Sequence, residues 1–227
     1  MRRGMKSIRS SALKAALCFL VAVFTPQVRA ATPVLPAGVF TLADNIGDES
    51  GIFEFGATLS GNPSPFSFTS RQAMPFPVTT PDGVSSPTLY AVEVTASTLI
   101  DSGPIHFYLA MDDGGYPDDL NKLYLGQATP VVPLGSGFDR LFLQTASAPP
   151  LLPGSTYWLV LDSAPNTVSV WNRSNTGPAG QFSSASSGGW SSNSFSYGYA
   201  VYAVPEPATI GTAALGMLML GGLRRRR

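Results

Sequence analysis

The sequence predicts an all-β protein, an antiparallel β-sandwich of jelly-roll type, and three observations carry that prediction. Hydrophobic residues between 31 and 203 recur with a period of two, turn signals separate the runs, and no long stretch holds a 3.6-residue period. Composition agrees: with 23 glycines, 20 prolines and only 12% charged residues among 227, turn formers abound and amphipathic helices have too few charges to build them. A signal helix is expected before this sandwich and a transmembrane helix after it.

The elements follow in order. Residues 44–88 hold Pro63, Pro65, Pro75, Pro77 and Pro81, which cannot all sit inside paired strands, so edge strands and loops are expected there. Tyr90, Val92 and Val94 then alternate with Ala91, Glu93 and Thr95. Ile105, Phe107, Leu109 and Met111 alternate with His106, Tyr108 and Ala110, and Leu123 and Leu125 flank Tyr124. Leu141-Phe142-Leu143 and Tyr157 to Leu161 are apolar on both faces, as central strands would be. Val168 and Val170 alternate with Ser169 and Trp171, and Phe195, Tyr197, Tyr199 and Val201 share a face. Pro81-Asp82-Gly83, Ser102-Gly103-Pro104, Asp113-Gly114-Gly115, Pro153-Gly154 and Gly188-Gly189 mark turns between them. Gln181 to Ser196, rich in Ser and Gly around Trp190, reads as a surface loop. No internal repeat and no second domain emerges.

The two ends read as addresses. Arg2, Arg3, Lys6, Arg9 and Lys14 precede an apolar segment from Ala15 to Phe24, Pro26 breaks it, and Val28-Arg29-Ala30 offers small-residue cleavage chemistry. Residues 1–30 are therefore expected to be a signal peptide, cut between Ala30 and Ala31. Cys18 lies inside the apolar segment after Leu17, which argues against lipidation, and the mature domain then has no cysteine to cross-link it. At the other end Val204-Pro205-Glu206-Pro207 stands before the uncharged run 208–223, and Arg224, Arg225, Arg226 and Arg227 close the chain. As a helix that run would measure about 24 Å at 1.5 Å per residue, short of a hydrocarbon core of about 30 Å. Such a marginal span suits a temporary anchor, with a permanent tail anchor as the alternative.

The tail resembles the PEP-CTERM sorting signal of Gram-negative bacteria, with Pro205, Glu206 and Pro207 as its signature and the four arginines as its basic end. The resemblance implies removal of the tail near the motif by an exosortase, after passage through the inner membrane and signal peptidase, in bacteria that make exopolysaccharide and form biofilm or floc. Prolines either side of Glu206 favour an extended backbone that a peptidase can grip. A looser resemblance covers the body. The strand from Pro104, the turn Asp112 to Pro117, Leu152 to Leu161 and Trp171 look like the choice-of-anchor domains, choice-of-anchor R in particular. These are secreted modules without assigned catalytic residues, so the resemblance implies architecture and location.

Charge is segregated. Residues 1–30 hold six Lys or Arg and no acid; residues 31–203 hold Arg71, Lys122, Arg140 and Arg173 against 13 acids; residues 204–227 hold four arginines and Glu206. The acidic mature domain argues against nucleic acid and anionic membrane surfaces as partners.

Three function classes follow. The favoured one is a surface or matrix structural protein associated with exopolysaccharide. A carbohydrate-binding module is the second, with Trp171, Trp190 and Tyr197 as candidate stacking platforms, although core packing competes for each. A hydrolase is the third and least supported: His106 is the only histidine, no Gly-x-Ser-x-Gly motif occurs, and the carboxylate pairs Glu49 with Glu54 or Asp112 with Asp119 carry no motif. No catalytic residue and no organic cofactor are assigned. Asp112, Asp113, Asp118 and Asp119 crowd one loop and make calcium the one candidate metal, against the alternative of a solvated turn.

Overall fold

The computed structural model describes residues 33–47, 49–62, 64, 69–184, 189–192 and 194–206. The expected signal helix, the cut between Ala30 and Ala31, Pro207, the run 208–223 and Arg224 to Arg227 lie outside the described residues, as do Pro63 and Pro65. Among the described residues the protein is all-β and contains no helix.

Thirteen strands make it up: β1 (Phe40–Asp44), β2 (Ile52–Ser60), β3 (Ser70–Pro77), β4 (Pro87–Ile100), β5 (Ile105–Met111), β6 (Leu123–Ala128), β7 (Asp139–Gln144), β8 (Thr156–Ser163), β9 (Val168–Ser174), β10 (Gln181–Ser184), β11 (Trp190–Ser192), β12 (Ser196–Tyr197) and β13 (Tyr199–Pro205). All of their pairings run antiparallel in one sheet ordered β1-β13-β4-β9-β2-β3-β8-β5-β6, with β7 on β4, β10 on β3, β11 on β10 and β12 on β9. The sheet curls into a half-barrel, and its edge strands β6 and β7 approach without pairing among the described residues. Gly126 on β6 lies against Leu143 on β7, so a Cβ there would sit 3.0 Å from a leucine methyl.

Alternation fills the interior. Leu59 of β2, Met74 and Phe76 of β3, Val92 and Val94 of β4, Ile105 and Phe107 of β5 and Leu159 and Leu161 of β8 meet in one buried cluster with Trp171, Tyr197, Tyr199 and Val201. Hydrophobic contact across both halves of the curl is what holds a domain whose described part has no cysteine. The apolar phase of β5 and the doubly apolar β8, which lies between β3 and β5, match the sequence pattern.

Four expectations are corrected. The proline-rich stretch holds two interior strands, β2 and β3, rather than edges and loops. Pro75 is tolerated because β10 extends only to Ala73 and β2 touches β3 only at Ser70, so nothing pairs with β3 opposite β8 at that level. Its carbonyl accepts a hydrogen bond from the Tyr199 hydroxyl at 2.7 Å instead. Strand β4 does not keep one phase, because an irregularity where Leu89 and Ala91 face Ala203 and Tyr202 moves Tyr90 away from Val92. Tyr90 packs with Ala91, Ala200 and Tyr202 on the outer side. Among the described residues strand β7 pairs only with β4, and its outward Phe142 is covered by Tyr202, ring centres 6.0 Å apart, rather than by a second sheet. Finally, the Ser/Gly-rich segment from Gln181 contributes a hairpin, β10 and β11, laid on β3.

Two polar structures organise the body. At the outer side of β4, enclosed Glu93 accepts from Arg140 Nε at 2.5 Å and from the Tyr202 hydroxyl at 2.8 Å, and Arg140 Nη1 reaches Glu49 at 3.1 Å. Burial pulls the Arg140 pKa down, but the two carboxylates outweigh it and raise the value. Elsewhere the chain turns a corner at Gly198, passing from β12 on β9 to β13 on β4. The Gly198 N–H donates to Asn172 O at 2.9 Å, and its carbonyl accepts from Thr95 N at 3.0 Å and Trp171 Nε1 at 2.9 Å. A Cβ at this glycine would stand 2.3 Å from Thr95 Oγ1, so only glycine lets the backbones approach this closely.

Candidate ligand-binding face

The outer face of β6, β5, β8 and β3, extended by β10 and β11, gathers aromatic and charged side chains that the interior does not use. Register sets this up. Because the odd residues of β5 point inward, His106 and Tyr108 point out. Antiparallel pairing places Tyr108 between Tyr124 and Val160, and His106 between Gln127 and Asp162. On the other side of β8, Arg71 lies opposite Ser183, whose hairpin partner is Trp190. At roughly 4.8 Å per strand, the face from β6 to β11 extends for about 24 Å.

The rings form a connected surface. Tyr124 and Tyr108 have centroids 5.5 Å apart, and His106 meets Tyr124 edge-on at 6.0 Å. Lys122 Nζ lies 4.9 Å over Tyr108, and the Arg71 guanidinium lies 5.2 Å from the Trp190 ring centre. Trp190 packs against Ala73, Ala110, Trp158 and Val160, and its enclosed Nε1–H has no acceptor among the described residues. Tyr124 is 49% exposed, so its ring is open to solvent.

Charge is fixed in place among these rings. Asp119 holds both Arg71 Nη1 at 2.7 Å and Lys122 Nζ at 2.8 Å. Burial acts to raise the Asp119 pKa, but the hydrogen bonds from those two cations outweigh it and hold the value below normal. Asp162 goes the other way: burial raises its pKa, and Arg71, the Ser163 N–H, Lys122 and His106 only partly offset that. Tyr108 is raised by burial first and then by Asp162 and Tyr124. The result is a strip offering ring faces, two tethered cations, a partly desolvated carboxyl and an imidazole, all suited to hydrogen-bonding a hydroxyl-rich ligand.

The sequence-predicted residues fare unevenly. Trp190 stands on this face. Trp171 and Tyr197 do not: both are enclosed, stacked on each other at 5.4 Å, with Trp171 Nε1 bonded to Gly198 O. They pack the core because the aromatic pair fills the corner at Gly198, where the chain passes from β12 on β9 to β13 on β4, and enclosed there neither presents a ring face to a glycan. The four loop aspartates do not converge either. Asp112 accepts from Trp158 Nε1 at 2.8 Å and from Gly115 N at 3.1 Å, Asp118 caps Leu120 and Asn121, and Asp119 holds its cations. The bond from the Asn121 side chain is the main cause lowering the Asp118 pKa. Among the described residues no group of acids or imidazole could hold a metal, because these carboxylates satisfy backbone and side-chain donors of the turn. Asp113 contributes through its backbone, donating to Tyr116 O at 2.7 Å. Glu49 is bound to Arg140, and His106 makes no hydrogen bond among the described residues.

Pro205 and Glu206 also fall within the described residues. Pro205 closes β13 opposite Pro87, and the Glu206 N–H donates to Ser86 O at 2.7 Å, so both are extended and attached to the sheet. Sequence reasoning missed Arg71, Tyr108, Lys122, Tyr124 and Asp162. The signal for Tyr108 was present, since an aromatic residue on the polar phase of β5 has no core to fill.

Comparisons with known proteins give little beyond the fold. No family model matches the chain, and no curated protein matches it in sequence. Among solved structures, the cysteine protease and lectin-like domains of Cwp84, a surface layer associated protein of Clostridium difficile, align with 77% of this chain and 37% of that one at 8% identity and a TM-score of 0.49. A second structure, the clostridial cysteine protease Cwp84 after propeptide cleavage, aligns with 77% of this chain and 42% of its own at 10% identity and a TM-score of 0.51. The chain thus spans less than half the length of either solved chain. At 10% identity the likeness is one of fold alone.

Proposed function

We propose that this chain is an exported, non-catalytic cell-surface or matrix protein that associates with polysaccharide through the outer face of β6, β5, β8, β3 and β11. The observation that carries the reading is the row of outward rings, Tyr124, Tyr108, His106 and Trp190, interleaved with Arg71, Lys122 and Asp162. Sugar rings stack on such faces through their C–H groups while hydroxyls bond the flanking charges, and a strip about 24 Å long takes several consecutive units. The curled sheet supports a jelly-roll-like sandwich reading, since successive strands such as β8 and β9 are not neighbours while one core joins both halves. A hydrolase reading finds three of its four named carboxylates engaged, Glu49 with Arg140, Asp112 with Trp158 and Asp119 with Arg71, while the fourth, Glu54, is exposed on β2.

The test is affinity electrophoresis in gels containing soluble polysaccharides, comparing the wild type with Tyr124→Ala and Trp190→Ala. Retardation by at least one polysaccharide, reduced about tenfold in affinity by Tyr124→Ala as expected for loss of a stacking contact, supports the reading. Equal mobility of all three proteins in every gel refutes it.

Sorting by an exosortase belongs to the same proposal. Its support is the PEP-CTERM-like order of the tail, together with the extended backbone at Pro205 and Glu206. Since β13 runs through Pro205 and the Glu206 N–H is hydrogen-bonded to Ser86, a peptidase cutting at Pro205 or Glu206 would have to detach them from the sheet first. Intact mass of the protein from its host is expected to give an N-terminus at Ala31 and a C-terminus beyond Glu206. A retained Arg227 contradicts the sorting reading.

A further inference from the structure

A second site lies at the C-terminal end of β9, and its lining shares no residue with the ring-lined face. Four cations occur between residues 31 and 203, and three of them are ion-paired: Arg71 and Lys122 with Asp119, and Arg140 with Glu49 and Glu93. Among the described residues Arg173 has no acid partner, in a stretch holding 13 acids. Its guanidinium instead packs against two rings, 3.2 Å from the centre of Phe195 and 5.5 Å from that of Phe55. Among the described residues its Nε is enclosed without an acceptor, while its outer Nη atoms make no hydrogen bond and are not enclosed.

The backbone explains the arrangement. On β9, Arg173 follows core residue Trp171 by two positions, and Phe195 precedes core residue Tyr197 by two, so alternation extends the buried ring stack outward into a cation on a ring. Strand β2 carries extra residues between Ile52, paired with Ser174, and Gly56, paired with Asn172. That bulge throws out Phe53 and Phe55, stacked at 5.2 Å and both about half exposed. Together these residues line an open cleft of about 360 Å³, with Ser174, Asn175, Ser194 and Ser196 supplying polar groups at its wall.

We infer that this cleft is a carboxylate-binding site that takes the uronate unit of an acidic polysaccharide. A guanidinium without an acid partner and packed against phenyl rings is preorganised, so little side-chain entropy is lost when it binds. The fork of its two Nη atoms matches a carboxylate, and the phenylalanine faces suit the apolar C–H side of a pyranose ring. A neutral sugar would leave the guanidinium unsatisfied; an isolated small anion would leave the rings exposed. A carboxylate on a ring meets both. The site does not depend on the Tyr124 face, and the two can succeed or fail separately.

The experiment uses trigalacturonate, its methyl ester and neutral maltotriose as probes, titrated into the domain and followed by heteronuclear NMR. Trigalacturonate is expected to shift signals of Arg173, Phe55 and Phe195, to weaken with added salt, and to bind at least about tenfold more tightly than the ester, as a charged hydrogen bond implies. Arg173→Ala should lower that affinity about ten- to a hundredfold, with Arg173→Lys between it and wild type. Tyr124→Ala should leave it unchanged. Equal binding of acid and ester by the wild type overturns the inference without any variant, as does the absence of shifts at about 20 mM probe, well past the millimolar range of weak sites. A folded Arg173→Ala, checked by its melting temperature, that still binds the acid like the wild type also overturns it.

Discussion

Gly198→Ala adds one methyl group at the corner that joins the two halves of the curled sheet. The added carbon would lie 2.3 Å from Thr95 Oγ1, 2.9 Å from Ile52 Cδ1 and 3.2 Å from Thr95 Cγ2. The isoleucine end can rotate aside. Thr95 cannot, because it is enclosed in β4 between the ladders to β7 and to the corner itself. Overpacking of this kind costs about 1–3 kcal/mol, and displacing the corner puts at risk the bonds from Thr95 N and Trp171 Nε1, worth about 1 kcal/mol each. Against this, an alanine restricts the unfolded chain and returns about 0.4–1 kcal/mol. The net expectation is a loss of about 2 kcal/mol, or a melting temperature lower by about 4–8 °C for a domain of this size. Urea unfolding followed by tryptophan fluorescence gives the number, since Trp171 sits at the corner. The double variant Gly198→Ala with Thr95→Ala then isolates the cause. Removing the threonine side chain takes away two of the three close contacts, so the double variant should be more stable than the sum of the singles by at least about 1 kcal/mol. Additive losses, or a Gly198→Ala cost below about 0.5 kcal/mol, the level of an ordinary surface change, would refute the steric reading of the corner.

Other expectations follow from the same geometry. Glu93→Gln leaves Arg140 with half of its buried compensation and should cost about 3 kcal/mol by urea unfolding; a change under 1 kcal/mol would mean that Glu49 alone suffices. The pKa of Asp162 is raised by folding, so its contribution is fully favourable only below the unfolded value of 3.8 and turns into a cost as pH rises through the folded value. Asp162→Asn should therefore raise the melting temperature at pH 7 and lose that gain near pH 3, while weakening binding on the ring-lined face; a gain that is the same at both pH values contradicts the assignment. Excess EDTA and millimolar calcium should give the same melting temperature, because the loop aspartates are already engaged with donors of the protein; a calcium-dependent rise would show otherwise.

Much of the core could be read from the chain before the structure. The alternation of Ile105, Phe107 and Leu109 and the doubly apolar run at Trp158 to Leu161 report local periodicity, which a sheet obeys wherever its ladder is regular. The readings failed where neighbours decide. Pro75 looked incompatible with an interior strand, yet what matters is whether a strand lies on its hydrogen-bonding side, and none does. Trp171 and Tyr197 have the chemistry of sugar platforms, and only the three-dimensional corner at Gly198 shows them enclosed. The outward strip assembles His106, Asp162, Arg71 and Trp190 from four strands that are distant in sequence, so no motif could announce it. Its one legible sign was an aromatic residue, Tyr108, on the polar phase of β5. The ion network of Arg140, Glu93 and Glu49 is likewise a product of long-range pairing, and nothing in the spacing of these residues foretells it.

The central claim is that the Tyr124–Trp190 strip contacts polysaccharide, and chemical-shift mapping with oligosaccharides prepared from the host's own exopolysaccharide tests it most directly. The account expects perturbations concentrated on Tyr108, Tyr124, His106 and the Trp190 indole N–H, absent from the enclosed Trp171 indole. Perturbations that avoid these residues, or a spectrum unchanged at saturating oligosaccharide, would contradict it.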